Sequence, residues 1–225
     1  MRPFSSIVLF VSLLMIVQGN AESTWDLYGG YSKTQKSDVT VTRYYFYGGP
    51  DTYYDTVAGS SGMLGTRFVY WLNAEKDLWA TSENGDDYQW LGFGADLFGF
   101  QLKDGNTDGY SVQFALDILF RYPHKTWQPY FGFGLLSHYS TIKVHNHPEI
   151  GSTVSGSDNG LGFDLRTGML WKVTGTFSLF GELRYTTANF SEDKDDLILS
   201  GDTIGTDLDT VHYIMGISFP LNGTE

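Results

Sequence analysis

The stretch that most limits what this chain can fold into is Tyr110–Tyr122, where apolar and polar residues alternate. Because successive side chains of a strand point to opposite faces, one face carries Val112, Phe114, Leu116, Ile118 and Phe120. The other face carries Ser111, Gln113, Ala115, Asp117, Leu119 and Arg121. A soluble strand usually spans about 5–6 residues, whereas a tilted strand that crosses a bilayer needs about 9–11. The stretch therefore favours a membrane strand with its apolar face toward lipid. The alternative is a long strand in a soluble barrel.

The N-terminal residues predict that the protein is exported. Met1–Ala21 contains Arg2, then an apolar run from Ile7 to Val17, then small residues up to Ala21. This pattern is typical of a secretory signal peptide, and the run is too short to be a membrane helix. We expect cleavage after Ala21, which leaves one domain over residues 22–225.

The composition supports a single barrel and excludes other classes. The sequence has no Cys, so neither a lipoprotein anchor nor a disulfide is available to an exported domain. Aromatic residues make up 16% of the chain, and 27 residues are Gly, which suits aromatic belts at the lipid interfaces and a crowded barrel interior. The formal net charge of −12 argues against nucleic-acid binding, which needs a basic face. We read the acidity as a solvated surface.

Alternation recurs along the chain and predicts an all-β fold, an eight-stranded antiparallel transmembrane β-barrel. An even strand number is typical of bacterial outer-membrane barrels. The predicted strands are Trp25–Tyr31, Thr66–Leu72, Tyr88–Gln101, Tyr110–Tyr122, Pro129–Val144, Gly162–Val173, Phe177–Phe190 and Thr210–Leu221.

The connections between these strands predict an orientation. Long polar loops are expected at Ser32–Leu64, His145–Leu161 and Ser191–Asp209. Within the first, Val39–Tyr47 could extend the strands, and Gly59–Gly62 is expected to form a flexible tip. Shorter connections are expected at Lys103–Gly109, Pro123–Gln128 and Thr174–Thr176, and the charged Asn73–Asp87 is long for an inner turn. Long loops at one end match an outer-membrane barrel with its loops outside the cell.

The predicted interior carries charges of both signs. An eight-stranded barrel is just wide enough for side chains to fill it, and unpaired charges there are costly, so we expect them to pair. This favours a plugged lumen over a gated ion path. The inward residues are Asp26, Arg67, Asp96, Asp117, Arg121, Asp164, Arg166, Lys172, Glu182 and Arg184.

Two parts of the sequence resemble a known group. Gly168–Tyr185 resembles the penultimate hairpin of the small OmpA/OmpX-like outer-membrane barrels, the opacity or porin family, and the closing strand Thr210–Phe219 is similar to theirs. That family usually ends on an aromatic residue read by the barrel assembly machinery, whereas here Pro220–Glu225 follows Phe219. The resemblance implies a monomer in the outer membrane with a surface role, in contact with lipid, lipopolysaccharide, the assembly machinery and an extracellular partner.

One short motif suggests an enzyme. His138-Tyr139-Ser140 resembles the His-x-Ser pair of outer-membrane lipid A deacylases, in which His activates Ser as a nucleophile. The Asn that follows Ser in that family is replaced by Thr141. In the predicted register the pair also faces the lumen, whereas a lipid-cleaving pair should face the bilayer. We therefore predict no enzyme and no catalytic residues.

Two other stretches suggest metal sites. Asp104–Gly109 begins like a calcium loop, but the twelfth position holds Ala115 instead of a bidentate Glu, so a hairpin turn is favoured. His145, His147 and Glu149 could bind zinc, although no fourth ligand is evident. We predict no metal residues, no cofactor-binding residues and no cofactor.

The sequence thus favours a structural or adhesive role through the three long loops. A small pore for ions or solutes is the second hypothesis, and a lipid A-modifying hydrolase is the third. The fourth is a secreted, lipocalin-like soluble barrel with the two faces reversed, so that Phe114, Leu116 and Ile118 surround a ligand.

Overall fold

The protein is an eight-stranded barrel in a computed structural model, which describes residues 22–44, 51–72, 90–105, 107–145, 153–191 and 201–221. No described residue belongs to a helix long and apolar enough to cross a membrane. The strands are β1 (Glu22–Tyr44), β2 (Asp51–Trp71), β3 (Leu91–Asp104), β4 (Thr107–Arg121), β5 (Trp127–Val144), β6 (Val154–Lys172), β7 (Ser178–Ser191) and β8 (Gly201–Pro220).

The strands pair in sequence order, all antiparallel, and β1 closes the barrel against β8. In the closing ladder Trp25 pairs with Phe219, and Tyr31 pairs with Tyr213. Closure leaves no open edge in the barrel wall. The predicted fold class is therefore confirmed.

The two faces of each strand have opposite chemistry. On β4, Val112 and Leu116 are exposed on the outside, whereas Gln113 and Asp117 are buried inside. An apolar exterior around a charged interior suits a lipid environment. The soluble, lipocalin-like alternative required the reverse and is wrong.

Both ends of the described chain lie at one end of the barrel, here called the terminal end. Glu22 pairs with Trp71, and the N–H of Leu221 donates to the carbonyl oxygen of Ser23 at 2.8 Å. β2, β4 and β6 end, and β3, β5 and β7 begin, at this end of the barrel. The predicted turn at Thr174–Thr176 is confirmed, because the N–H of Thr176 and that of Phe177 both donate to the Thr174 hydroxyl.

The opposite end, here called the far end, differs from the prediction. Of the three predicted long loops, Ser32–Leu64 is largely strand, since β1 runs to Tyr44 and β2 starts at Asp51. The expectation that Val39–Tyr47 could extend the strands is confirmed as far as Tyr44. Gly59–Gly62 lies inside β2 and is not a loop tip. β6 and β8 likewise start within the other two predicted loops. A main-chain ladder does not require apolar side chains, so polar, Gly-rich segments can continue a strand that hydropathy alone reads as loop.

Some predictions fall outside the described residues. These are the signal peptide Met1–Ala21, the charged connection Asn73–Asp87, the loop residues His147 and Glu149, and the final residues 222–225.

Candidate functional site: a filled interior and a strand extension

The terminal half of the lumen contains a network of ion pairs, here called the charged cluster. Eight of the ten charged residues that were predicted to point inward belong to it, and they pair with one another as expected. Its members are Asp26, Arg67, Asp96, Asp117, Asp164, Arg166, Glu182 and Arg184. Arg121 pairs separately with Glu22 at 2.6 Å. Lys172 lies on the same side of β6 as Asp164 and Arg166, but it is exposed at the barrel rim and does not belong to the buried network.

Arg166 links β6 to two other strands. Its Nη1 donates to Asp96 Oδ2 of β3 at 2.9 Å. Its Nε and Nη2 donate to the two oxygens of Asp164, at 3.0 and 2.8 Å. Its Nη2 also lies 2.8 Å from Asp117 Oδ2 of β4, so one guanidinium serves three carboxylates.

Arg184 and Arg67 continue the network around the barrel. Nη2 of Arg184 donates to Asp96 Oδ2 at 2.5 Å and lies 2.9 Å from Glu182 Oε1. Arg67 donates from Nε to Asp26 Oδ2 at 2.8 Å and from Nη1 to Glu182 Oε2 at 2.6 Å. All six strands that supply these groups are thereby linked through buried charges.

Two tyrosines complete the hydrogen bonding of the carboxylates. The Tyr28 hydroxyl donates to Asp96 Oδ1 at 2.5 Å, and the Tyr130 hydroxyl donates to Glu182 Oε2 at 2.7 Å. Asp117 is different: among the described residues neither of its oxygens accepts a hydrogen bond. Its contact with Arg166 is therefore a charge contact with poor alignment for hydrogen bonding.

The far half of the lumen is filled by a buried apolar layer that the sequence analysis did not identify. The inward parity of β3, which places Asp96 inside, also places Phe98 and Phe100 inside, and this signal was available in the sequence. The apolar layer comprises Met63, Phe98, Phe100, Leu102, Ala115, Leu136, Ile142, Val144, Ala188, Leu208 and Ile214. The Arg184 guanidinium carbon lies 4.5 Å from the centre of the Phe98 ring, so the layer sits directly on the charged cluster.

The terminal end of the lumen is covered by another cation. The Arg121 guanidinium carbon lies 4.1 Å from the centre of the Trp71 ring, and Arg121 Nη1 donates to Gln128 Oε1 at 3.2 Å. Buried side chains of the charged cluster, the apolar layer and this cover follow one another along the described lumen. Between the cluster and the cover they leave a small cavity, lined among others by Asp26, Arg67, Trp71, Arg121 and Tyr130. This arrangement suits a plug better than a water-filled path.

The structure brings the predicted His-x-Ser pair together but buries it in the lumen. His138 Nδ1 lies 3.2 Å from Ser140 Oγ, and the two residues are 2% and 0% exposed. The Ser140 hydroxyl donates to Ser111 Oγ at 2.9 Å, so its proton points to another hydroxyl and not to the imidazole. The pair faces away from lipid, as its register predicted.

A second buried histidine was not identified from the sequence. His212 Nδ1 lies 2.7 Å from Ser32 Oγ, and its Nε2 lies 3.0 Å from Thr186 Oγ1. Its ring packs edge-on against Phe98 and Phe100. On β8, His212 lies on the face opposite to that of its neighbour Tyr213. This alternation in the sequence could have identified it as an inward-facing residue.

The two metal hypotheses have different outcomes. Asp104 pairs directly with Thr107 around Gly105, whose φ is +45°, so the calcium-like stretch forms the tight hairpin that was favoured. His145 Nε2 lies 3.1 Å from Asp108 Oδ2 at the exposed far end. Within the described ranges no group of three potential metal ligands comes together.

The most distinctive feature of the far end is a group of strands that continues past the barrel wall. We call residues 35–44 of β1, 51–58 of β2 and 201–207 of β8 the strand extension. In it, Val41 pairs with Tyr53 on one side and with Ile204 on the other. The ladder between β2 and β3, however, starts only at Met63, which pairs with Phe100. β1 is therefore flanked on both sides, whereas no described strand pairs with the outer edge of the β2 part of the extension.

Solved structures share this fold. Neisserial surface protein A (NspA) is 14% identical over 89% of this chain and 99% of its own, with a TM-score of 0.55. A major outer membrane protein from Thermus thermophilus is 12% identical over 90% of this chain and 100% of its own, with a TM-score of 0.51. No protein-family model matches the chain, and no curated protein matches it. The chain thus has the fold of small outer-membrane barrels, as its sequence indicated.

Proposed function

We propose that this protein is an outer-membrane surface protein that binds an extracellular partner through its strand extension. The fold is that of known outer-membrane barrels. An even number of strands places the N-terminus and the C-terminus on the same side of the membrane, which in such barrels is the periplasmic side. The far end, with the strand extension, then faces outward.

The observation that carries this proposal is the extension itself. β1 and β2 have 23 and 21 residues, whereas a strand needs about 9–11 residues to cross a bilayer. The surplus lies entirely at the far end. A ladder that is not needed to span the membrane suits contact with a partner, because binding residues tend to lie on segments that a rigid scaffold presents.

The filled interior supports a binding role over transport. Buried side chains occupy both halves of the described lumen, so solutes have little room to pass. The pore hypothesis predicts single-channel current in planar bilayers, and the proposed role predicts none. We further propose that lipopolysaccharide surrounds the barrel, that the barrel assembly machinery inserts it, and that it is a monomer without enzymatic activity.

The proposed role can be tested on intact cells. The full-length coding sequence is expressed in a Gram-negative host, and adhesion to cultured epithelial cells and to matrix-coated plates is compared with that of a shortened variant. The variant replaces residues 35–58 by Asn-Gly, a two-residue hairpin turn, between the paired residues Thr34 and Gly59. Adhesion should fall to the level of cells without the protein. Equal adhesion by both forms at equal surface amounts would contradict the proposal.

A further inference from the structure

We infer that the free edge of β2, residues Asp51–Ala58, binds an extended, basic segment of a partner protein as an added strand. This inference rests on the proposed function, since it names the partner class of the same strand extension. It concerns main-chain pairing, and it would be wrong if the partner bound only to the face of the extension.

The ladder pattern shows that no described strand pairs with this edge. β2 pairs with β1 from Asp51 to Trp71, but its ladder with β3 begins at Met63. Ser61 adds one contact, a hydrogen bond from its hydroxyl to the carbonyl oxygen of Gln101 at 2.5 Å. Gly59 also lies close to the main chain of Lys103, so β3 flanks β2 down to that residue. From Ala58 back to Asp51, no described strand pairs with the outer edge of β2. A sheet edge of this kind presents unpaired N–H and C=O groups to any extended chain.

The donors on this edge can be assigned by alternation. The N–H of Leu72 donates to the carbonyl oxygen of Leu91, across the β2–β3 boundary. The register shift in the β1–β2 ladder places two residues of β1 opposite Ala58, so β2 itself keeps its alternation. Because N–H groups of successive strand residues point to opposite sides, the even-numbered residues point to the outer edge. The outward donors of the free segment are therefore Thr52, Tyr54, Thr56 and Ala58.

The sequence of the edge lacks the usual protection against strand addition. Exposed edges are commonly blocked by Lys, Pro or a bulge. From Asp51 to Gly62 the chain contains no Lys, no Arg and no Pro, and the register shift lies on β1. Tyr, Thr and Val, which favour strands, make up most of residues 52–57. The edge is thus suited to accept a strand.

Charge indicates what kind of strand it accepts. The basic residues of the strand extension are Lys36 and Arg43. Against these two stand five acidic residues, Asp38, Asp51, Asp55, Asp202 and Asp207. Charge complementarity speeds association and disfavours acidic partners. A basic segment is therefore favoured, and a second, equally acidic copy is not.

Geometry argues further against a second copy in the same membrane. Strands of such barrels tilt by about 35–45° from the membrane normal. Two copies related by a two-fold axis along that normal would cross their edge strands at about twice the tilt, far from the roughly 20–25° between paired strands. Lateral self-pairing through this edge is therefore excluded, which leaves a chain that approaches from outside the membrane.

The first test uses a defined peptide. Protein purified from outer membranes into detergent micelles is titrated into fluorescein-labelled Lys-Val-Lys-Thr-Lys-Val-Lys-Thr, and binding is read as fluorescence anisotropy. A matched peptide carries N-methyl groups on alternate residues, which keeps the charge and removes the donors of one edge. We expect the matched peptide to bind about tenfold more weakly or not at all, because strand addition depends on main-chain hydrogen bonds. Equal binding of the two peptides would overturn the inference.

The second test changes the protein at one outward donor. Tyr54→Pro removes the N–H of an edge residue, and Tyr54→Ala removes the same side chain but keeps the N–H. Tyr54→Pro should weaken peptide binding by about tenfold, whereas Tyr54→Ala should stay within about threefold of the unchanged protein. Heat-dependent migration on a denaturing gel confirms that each variant forms the barrel. Equal loss in both variants would assign binding to the side chain and overturn the inference.

The same variants separate this inference from the proposed function. If the shortened variant loses cell adhesion but Tyr54→Pro keeps it fully, the surface role stands and edge pairing is wrong. If the shortened variant adheres normally, the surface role itself is wrong. If cells that express the unchanged protein clump without any partner and Tyr54→Pro abolishes the clumping, the edge pairs with a copy on a facing cell and the basic partner is wrong.

Discussion

The barrel interior and the strand extension are built from the same strands but are held by different interactions. β1 supplies Asp26 and Tyr28 to the lumen, where side chains from several strands meet. Further along, the same strand forms only local ladders, with Val41 between Tyr53 and Ile204. Interior residues are therefore held by side-chain contacts across the barrel, whereas each residue of the extension is held by main-chain pairing with the adjacent strands. The comparison suggests that stability is concentrated in the interior and recognition in the extension.

The largest expected effect comes from breaking the charged cluster. Arg184→Ala would leave Asp96 and Glu182 without one of their cations. Removal of one partner from a buried ion pair costs about 3–5 kcal/mol, because the remaining charge stays desolvated. We expect a loss of this size in urea unfolding in micelles, or failure to form the heat-modifiable barrel. Lys172→Ala, at the exposed rim, is the control and should unfold at the unchanged urea concentration.

A somewhat smaller effect is expected in the apolar layer. Phe98 is 2% exposed and faces the lumen, whereas its neighbour Leu97 is 49% exposed and faces outward. Phe98→Ala should lower the free energy of unfolding by about 3 kcal/mol through lost packing and a residual cavity. Leu97→Ala should lower the free energy of unfolding by clearly less, since lipid or detergent can fill the space that the side chain leaves. Equal losses would mean that the layer does not support the barrel.

The sequence predicts the barrel body well because two constraints act on each strand there. Phe114 and Asp117 must lie on opposite faces, since one meets lipid and the other meets the charged cluster. A shift of register by one residue would exchange them. This double constraint makes the alternation of β4 visible in the sequence. It also allowed the pairing of Arg166 and Arg184 with interior carboxylates to be predicted.

The extension was predicted only in part. Val39–Tyr47 was expected to extend the strands, whereas no comparable alternation marks the β2 and β8 segments. Gly59 and its polar neighbours carry no alternation, yet they lie within β2. Their strand conformation comes from pairing with β1 residues that are distant in the sequence. A local pattern of residue types does not reveal such pairing. The individual ion-pair partners inside the lumen could not be predicted from the sequence either. Which carboxylate meets Arg166 depends on the stagger of all eight strands, which residue types alone do not reveal.

A smaller effect is expected at the buried His-x-Ser pair. Ser140→Ala removes a hydrogen bond to Ser111 and a contact with His138, which should cost about 1 kcal/mol in urea unfolding. Ser137→Ala, on the outward face of β5, is the matched control and should cost less. Mass spectrometry of lipid A from cells with and without the substitution should give the same profile. A changed profile would show that the protein is a lipid A-modifying enzyme after all.

The smallest effect on stability is expected where the largest effect on binding is proposed. Replacing residues 35–58 by Asn-Gly removes the β1–β2 part of the extension but keeps the ladder from Thr34 and Gly59 down to the terminal end. All the ion pairs of the charged cluster lie below this cut. Leu208 of the buried apolar layer lies beside the removed residues, between Thr210, which pairs with Thr34, and Thr206, which pairs with Val39. Surface segments away from the core contribute little to stability. We therefore expect the free energy of unfolding to change by less than about 1 kcal/mol.

This last expectation is the sharpest test of the division between the two regions. The shortened and unchanged proteins are compared by urea unfolding and by the temperature at which the gel mobility shifts. The six β8 residues from Gly201 to Thr206 lose their β1 partners in the shortened form, so some fraying is expected at the far end only. If the shortened barrel instead unfolds as readily as Arg184→Ala, the extension is part of the stabilising framework. Its free β2 edge would then be the exposed side of a structural element, and the separation of stability from recognition would fail.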